Sequence, residues 1–135
     1  MKIYVSGTFT SQARLRPMAD HLRKLGHEIT GTWLYEAQRP GHLAPPHWRT
    51  ALANKDIAEV YGAECIVLDL NDESTTGGRY TEWGVACHPT SLMLRYTVGG
   101  DQHKLEGVFM AKAHRHFENW DELFAYFEVN HNAIH

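Results

Sequence analysis

The segment CIVLDL at residues 65–70 is an apolar run between polar neighbours. A run of this kind is what a strand needs when helices cover both of its faces, because neither face then meets water. Strands buried on both faces belong to parallel sheets. The run therefore predicts the central strand of a parallel sheet.

Strand-like and helix-like segments alternate on both sides of this run. Strands are expected at residues 2–6, 27–34 and 91–98, and a last one either at 108–110 or at 114–117. Helices are expected at residues 12–25, 48–61 and 80–87, and an amphipathic helix is expected to follow the cap residue Asn119. Gly99 and Gly100 suggest a hairpin-like break.

The alternation predicts a single α/β domain with a doubly wound, flavodoxin- or Rossmann-like sheet. The sheet is expected to be mostly parallel, with right-handed crossovers and helices on both faces. The domain should span residues 1–128, and residues 129–135 should form a C-terminal tail.

In open sheets of this type, ligands bind beyond the carboxyl ends of the strands, at the point where the strand order reverses. The segments SGTFTS (residues 6–11) and NDESTTGGRYTE (residues 71–82) leave the first and third strands. We expect these two segments to meet at one cleft. The proline-rich segment QRPGHLAPPHW (residues 38–48) is a long loop without periodicity and a further candidate for function.

The composition excludes several classes of function. A net charge of -3 and a pI near 6.3 provide no basic field for a nucleic-acid polymer. No apolar run approaches the length of a membrane span, and the N-terminus lacks a signal-peptide pattern, so a cytoplasmic protein without a membrane partner is expected. Cys65 and Cys87 are interpreted as core residues, and His114 and His116 do not form a metal motif; neither a metal nor a cofactor is predicted.

Two carboxylates are candidates for catalysis. A pair of carboxylates beside a glycosidic carbon can divide the reaction, since one attacks or stabilises the cationic carbon while the other assists the departing group. Glu82 follows a glycine pair and is expected at a helix start, where backbone N–H groups favour an anion. A plain first-turn carboxylate is the alternative interpretation of Glu82, and a solvated helix carboxylate is the alternative for Asp56.

The turn SGTFTS combines small and hydroxyl-bearing residues before a helix, which suits close approach by a sugar or phosphate. An ordinary helix cap is the alternative. The segment lacks the glycine spacing of a nucleoside-triphosphate loop or a dinucleotide fold. Tyr4, within the first strand, is by default a core aromatic residue whose hydroxyl needs a partner.

At these residues the sequence resembles the nucleoside 2-deoxyribosyltransferase family, including the related nucleoside 5'-monophosphate N-glycosidases. The segment KIYVSG resembles the first strand of that family, which contains a tyrosine. The segment NKDIAEVYGAECIVLDLND resembles the stretch with the family's aspartate, the helix and the central strand. The segment GGRYTEWGVA resembles the stretch that contains the family's catalytic glutamate. The resemblance implies that Glu82 is the nucleophile or a stabiliser of the cationic sugar, that Asp56 acts on the base, and that Tyr4 orients Glu82. It also implies a small-molecule nucleoside or nucleotide partner and a homo-oligomer.

The predicted substrate-binding residues are Ser6, Gly7, Thr8, Phe9, Thr76, Gly77 and Gly78. The position six residues before the glutamate differs between the branches that this sequence resembles. Transferases have an acidic residue there, which contacts the 5'-hydroxyl of the sugar. Monophosphate hydrolases have a serine there, which contacts the phosphate. Thr76 occupies this position, and a hydroxyl can donate to phosphate whereas a carboxylate repels it. This position favours a 5'-phosphate on the substrate, while the acceptor of the sugar, water or a second base, stays open.

A binding module that senses a nucleotide without converting it is the competing hypothesis. The phosphoribohydrolases that are similar to lysine decarboxylases have a PGGxGTxxE pattern. In this sequence the glycine pair lies four residues before Glu82 and the proline is missing, so that pattern is not met.

Overall fold

The part of the chain that the structure describes forms one sheet of five parallel strands in the order β2-β1-β3-β4-β5. The computed structural model describes residues 1–37, 46–72 and 77–134. The strands are β1 (Lys2–Ser6), β2 (Glu28–Ile29), β3 (Cys65–Asp69), β4 (Leu94–Val98) and β5 (Arg115–Phe117). Every residue of β3 is buried, and β3 lies at the sheet centre as its apolar run predicted.

Helices pack on both faces of the sheet, which confirms the predicted α/β class. They are α1 (Gln12–Lys24), α2 (Pro46–Tyr61), α3 (Gly78–Ala86), α4 (Gln102–Leu105) and α5 (Trp120–Ile134). On one face α1 contacts α5, where the His21 ring stacks on Phe124 with 4.1 Å between ring centroids. On the other face α2 packs against α3. Within the described residues, no helix is both long and apolar enough to cross a bilayer.

The second strand is much shorter than the predicted segment 27–34. Its pairing with β1 ends after two residues, and a 3-10 helix follows at Thr32–Tyr35. The Glu59 carboxylate of α2 accepts hydrogen bonds from the backbone N–H of Thr32 at 2.6 Å and from its hydroxyl at 2.7 Å. These bonds draw the chain towards α2 and away from β1, so the strand cannot continue.

The segment after β4 also differs from the expected hairpin. Gly99 and Gly100 do break the strand with positive φ angles of 73° and 81°, but β4 and β5 are parallel, and α4 and a 3-10 helix (Val108–Lys112) connect them. A Cβ atom at Gly99 would lie 1.8 Å from the Asn71 Oδ1 atom, so the turn requires glycine. Of the two predicted sites for the last strand, 114–117 is therefore correct and 108–110 is wrong.

The C-terminal segment is helical where a tail was expected. Asn119 caps α5, since its Oδ1 accepts a hydrogen bond from the Glu122 N–H at 2.9 Å. The helix then continues to Ile134, because neither glycine nor proline interrupts residues 120–134.

Asp69 ties the α1 and α5 layer to the end of β3. The carboxylate is fully buried and accepts hydrogen bonds from the Arg14 guanidinium at 2.6 and 3.0 Å and from the Trp120 indole at 2.7 Å. Burial raises the pKa of Asp69, but the donors from Arg14, Trp120 and Asn71 outweigh burial and hold the pKa below its ordinary value. The ionised carboxylate is thus part of the fold.

We predict that Asp69→Asn lowers the free energy of unfolding by about 2–4 kcal/mol, because buried donors lose a charged acceptor. The folded pKa of Asp69 lies below the unfolded value of about 3.9, so its contribution is present above that value and is lost as the pH falls through the folded pKa. Urea unfolding between about pH 7 and pH 2 measures this. The difference between the two proteins should shrink in acid, and an unchanging difference would contradict the assignment.

Candidate active site

A cavity of about 470 Å³ opens at the carboxyl ends of β1 and β3, where the strand order reverses. Its volume suits a small ligand. Its walls come from the loop after β1, the 3-10 helix after β2, α2 and the first half of α3. The lining residues are Gly7, Thr8, Phe9, Trp33, Arg49, Ala53, Asp56, Ile57, Gly78, Arg79, Thr81 and Glu82. The two segments that leave β1 and β3 thus meet at one cleft, as predicted.

A larger cavity of about 630 Å³ lies near the opposite edge of the sheet, beside Met1, Ala63 and Leu94. Its lining includes Glu64, whose carboxylate accepts a hydrogen bond from the Lys2 backbone N–H at 2.9 Å. No residue that the sequence singled out for catalysis lines this cavity. The smaller cavity is therefore the candidate active site.

Hydroxyl groups of β1 hold both carboxylate oxygens of Glu82. The Tyr4 hydroxyl donates to Oε2, and the Ser6 hydroxyl donates to Oε1 at 2.9 Å. Tyr4 and Ser6 are two residues apart in a strand, so their side chains point to the same face of the sheet, the one that α3 covers. Both residues are fully buried, while Glu82 is half-buried and lines the cavity. The strand thus orients one carboxylate towards the space that a ligand would fill.

The position of Glu82 in its helix differs from the expectation. The helix α3 begins at Gly78, with Gly77 as its cap, so Glu82 is the fifth residue and not part of the first turn. The reading of Glu82 as a helix-start carboxylate is therefore wrong, because the glycine pair starts the helix earlier. The Tyr4 and Ser6 hydroxyls of β1 contact its carboxylate.

The environment of Tyr4 keeps its phenol protonated. Burial raises the pKa of Tyr4 far above its ordinary value, and the negative charge of Glu82 and the hydrogen bond to it raise the pKa further. Asp56 contributes in the same direction, which places this second carboxylate within electrostatic range of the Tyr4 hydroxyl. Tyr4 is thus a permanent hydrogen-bond donor to Glu82.

Asp56 lies on the α2 wall of the cavity. Arg49, Ala53 and Asp56 recur at helical spacing, so one face of α2 presents all three to the cavity. Asp56 is half-buried. The wall of α2 therefore holds a carboxylate and a cation, while the wall of α3 holds Glu82.

Three of the seven predicted binding residues lie in the segment after β1. Gly7, Thr8 and Phe9 line the cavity. The Thr8 hydroxyl is 2.8 Å from the Ser11 hydroxyl and donates to the Asp72 carboxylate at 3.2 Å. A Cβ atom at Gly7 would lie 2.6 Å from a methyl carbon of Leu15, so α1 approaches the loop too closely for a side chain there.

The remaining predicted binding residues do not all line the cavity. Gly78 lines the cavity, whereas Gly77 precedes it as the cap of α3. The Ser6 side chain is fully buried and donates a hydrogen bond to the Glu82 carboxylate. Ser6 therefore contacts Glu82 and does not line the cavity. Thr76 lies outside the described residues.

The sequence reasoning missed the cavity residues Arg49 and Arg79. Arg79 has a detectable signal, because it lies three residues before Glu82 and so shares its helix face. Trp33 was also missed, since its segment was expected to be a strand; its indole N–H donates to the Val5 carbonyl at 2.9 Å. Among the described residues, no group of three or more histidine, cysteine, aspartate or glutamate side chains could hold a metal ion.

No family model and no curated protein matches the sequence, but solved structures share its fold. A 2-deoxyribosyltransferase from Bacillus psychrosaccharolyticus superposes with a TM-score of 0.71 and 20% identity, over 94% of this chain and 96% of that chain. A conserved protein from Enterococcus faecalis V583 has a TM-score of 0.64 and 17% identity, over 96% and 98%. A CMP N-glycosidase from Clostridium botulinum has a TM-score of 0.57 and 11% identity, over 96% and 99%. The fold that the family resemblance implied is thereby confirmed.

We predict that Tyr4 stays protonated at about pH 11, which is above the ordinary pKa of a tyrosine, about 10. The ¹³C resonance of the Tyr4 Cζ atom, assigned with Tyr4→Phe in tyrosine-labelled protein, reports this titration. In Glu82→Gln the pKa of Tyr4 should fall and still exceed its ordinary value, because burial is the largest cause of the shift. A Tyr4 resonance that titrates at the ordinary tyrosine pKa of about 10 would contradict the described burial and contact.

Proposed function

We propose that the protein cleaves the N-glycosidic bond of a nucleoside or nucleoside 5'-monophosphate, with Glu82 as the nucleophile. The observation that carries the proposal is the pair of hydroxyl donors, Tyr4 and Ser6, that hold both oxygens of a cavity-lining carboxylate. A second carboxylate, Asp56, lines the same cavity from α2. Two of the structures that share the fold are, by name, a 2-deoxyribosyltransferase and a CMP N-glycosidase.

In the first step, a Glu82 oxygen attacks the anomeric carbon while the bond to the base nitrogen breaks, and the bonding electrons leave with the base. The transition state carries positive charge on the sugar, which a carboxylate stabilises. Asp56 donates a proton to the departing base, so that the base leaves as a neutral molecule. The product of this step is a glycosyl ester of Glu82 and a free base.

In the second step, water or another base attacks the same carbon and releases the Glu82 carboxylate. Two displacements give net retention of configuration. Asp56 accepts the proton that the attacking water or base loses, which replaces the proton that it gave to the first base. The Tyr4 and Ser6 hydroxyls orient the carboxylate for attack and stabilise its negative charge as it departs, since hydroxyl donors bind a carboxylate more strongly than its neutral ester.

For the substrate we propose a nucleoside 5'-monophosphate. Arg49 adds a positive charge to the cavity wall, and Thr76 adds a hydroxyl group to the segment that leaves β3. Cations and hydroxyl donors suit a phosphate, whereas an acidic residue at position 76 would repel it. We also propose that the protein is cytoplasmic and forms a homo-oligomer. The molar mass from light scattering tests the oligomeric state.

We predict that Glu82→Gln lowers base release by at least about 10³-fold, because the amide cannot act as nucleophile. Tyr4→Phe and Ser6→Ala should each lower kcat by about 10–100-fold, the value of one hydrogen bond to a charged group. Glu128→Gln, an exposed substitution on α5, is the matched control and should keep full activity. Chromatography of free bases from deoxy- and ribonucleosides and their 5'-monophosphates provides the measurement.

Adding a second free base to the same reactions separates the two acceptors. Free base without exchange identifies a hydrolase, and a new nucleoside or nucleotide identifies a transferase. Full activity of Glu82→Gln would overturn the assigned nucleophile. Tight nucleotide binding without any product over long incubation would overturn the enzyme and favour the sensing module.

A further inference from the structure

Arg79 is a buried cation one helical turn before Glu82. Its side chain is fully enclosed, although the residue borders the cavity. Residues three apart share a helix face, so Arg79 and Glu82 lie on the same side of α3. Glu82 contacts β1, and Arg79 contacts Asp72 just after β3. A buried guanidinium is retained only when partners compensate its desolvation.

The main partner of Arg79 is Asp72, in the segment that follows β3. The Arg79 guanidinium forms an ion pair with the Asp72 Oδ2 atom. The same oxygen accepts the hydrogen bond from the Thr8 hydroxyl at 3.2 Å. The Tyr80 hydroxyl accepts a further hydrogen bond from Arg79 at 3.2 Å. Asp72 therefore joins the start of α3 to the loop after β1.

The backbone around Asp72 is held as well. The Lys104 ammonium of α4 donates to the Leu70 carbonyl at 2.9 Å and to the carbonyl of Asp72. On the other side of Glu82, the Trp83 indole donates to the Phe109 carbonyl at 2.9 Å. The helix α3 is thus fastened on both sides of Glu82, by the Arg79 bridge before it and by Trp83 after it.

We infer that Arg79 is a positioning residue, whose bridge to Asp72 and Thr8 sets the place of α3 and so holds Glu82 between the hydroxyls of Tyr4 and Ser6. The alternative role is direct contact with an anionic group of the substrate. Full enclosure of the side chain and its ion pair with Asp72 favour positioning over substrate binding. The catalytic consequence of this inference rests on the proposed function, whereas its structural consequence does not.

The test compares Arg79→Lys and Arg79→Met with Arg115→Met. Arg115 makes the control because it lies on the edge strand β5, where its guanidinium stacks on the Tyr126 ring of α5 at 4.6 Å from the ring centroid. For each protein, kcat and KM are measured with a nucleoside and with its 5'-monophosphate. In the same samples, the ¹³C resonance of the Tyr4 Cζ atom reports contact with Glu82 without requiring activity.

For a positioning residue, Arg79→Met should lower kcat by about 10–100-fold on both substrates and leave KM within about twofold, since a displacement near 1 Å costs about 10²-fold. Its Tyr4 resonance should shift towards that of Glu82→Gln. Arg79→Lys retains the positive charge, so its kcat and its Tyr4 resonance should lie between those of Arg79→Met and those of the unaltered protein. In Arg115→Met, kcat and the Tyr4 resonance should stay unchanged.

Two results would overturn the inference. A rise in KM confined to the 5'-monophosphate, with kcat and the Tyr4 resonance unchanged, would make Arg79 a substrate contact. A loss of stability in Arg79→Met, with kcat and the Tyr4 resonance unchanged, would make Arg79 merely structural. If the unaltered protein converts no substrate, the proposed function fails, and the Tyr4 resonance of the Arg79 variants alone decides the positioning role. If Arg79→Met does not fold, Arg79→Lys is read by the same criteria.

Discussion

The contact of Glu82 with the Tyr4 and Ser6 hydroxyls joins α3 to β1 through buried polar groups. Buried hydroxyls must find hydrogen-bond partners, and a carboxylate that leaves water must be compensated. The two needs are met together only if α3 lies directly over β1 at the carboxyl end of the sheet. The order of β2, β1 and β3, the early start of α3 at the glycine pair and the fastening of α3 on both sides of Glu82 all serve that placement.

Two carboxylates on opposite faces of the same sheet show how the environment separates a structural role from a reactive one. Asp69 is fully enclosed, and donors from Arg14, Trp120 and Asn71 occupy its oxygens. Glu82 is half-buried and accepts hydrogen bonds from two hydroxyl groups. It also borders a cavity large enough for a nucleotide-sized ligand. The first arrangement stabilises a charge, whereas the second orients a charge that a ligand can reach.

The sequence predicted what depends on periodicity and missed what depends on tertiary contacts. The apolar run at residues 65–70 located the central strand because burial on both faces leaves a direct mark on composition. The end of β2 could not be predicted, since it depends on the Glu59 carboxylate reaching across from α2. Arg79 was overlooked for the same reason, because its partner Asp72 lies in another segment and only the fold brings the two together. The family resemblance brought Tyr4, Asp56 and Glu82 forward as a set, while local pattern alone misread Glu82 as a helix-start residue.

The central claim is that Glu82 forms a covalent bond with the sugar. A nucleoside or nucleotide whose sugar carries fluorine at the 2' position tests it most directly, because the electron-withdrawing fluorine slows both cation-like steps, and a good leaving group restores the first. Mass spectrometry of the digested protein then locates any sugar adduct. The account predicts one adduct, on the peptide that contains Glu82, and none in Glu82→Gln. An adduct on a different residue, or one that persists in Glu82→Gln, would contradict it.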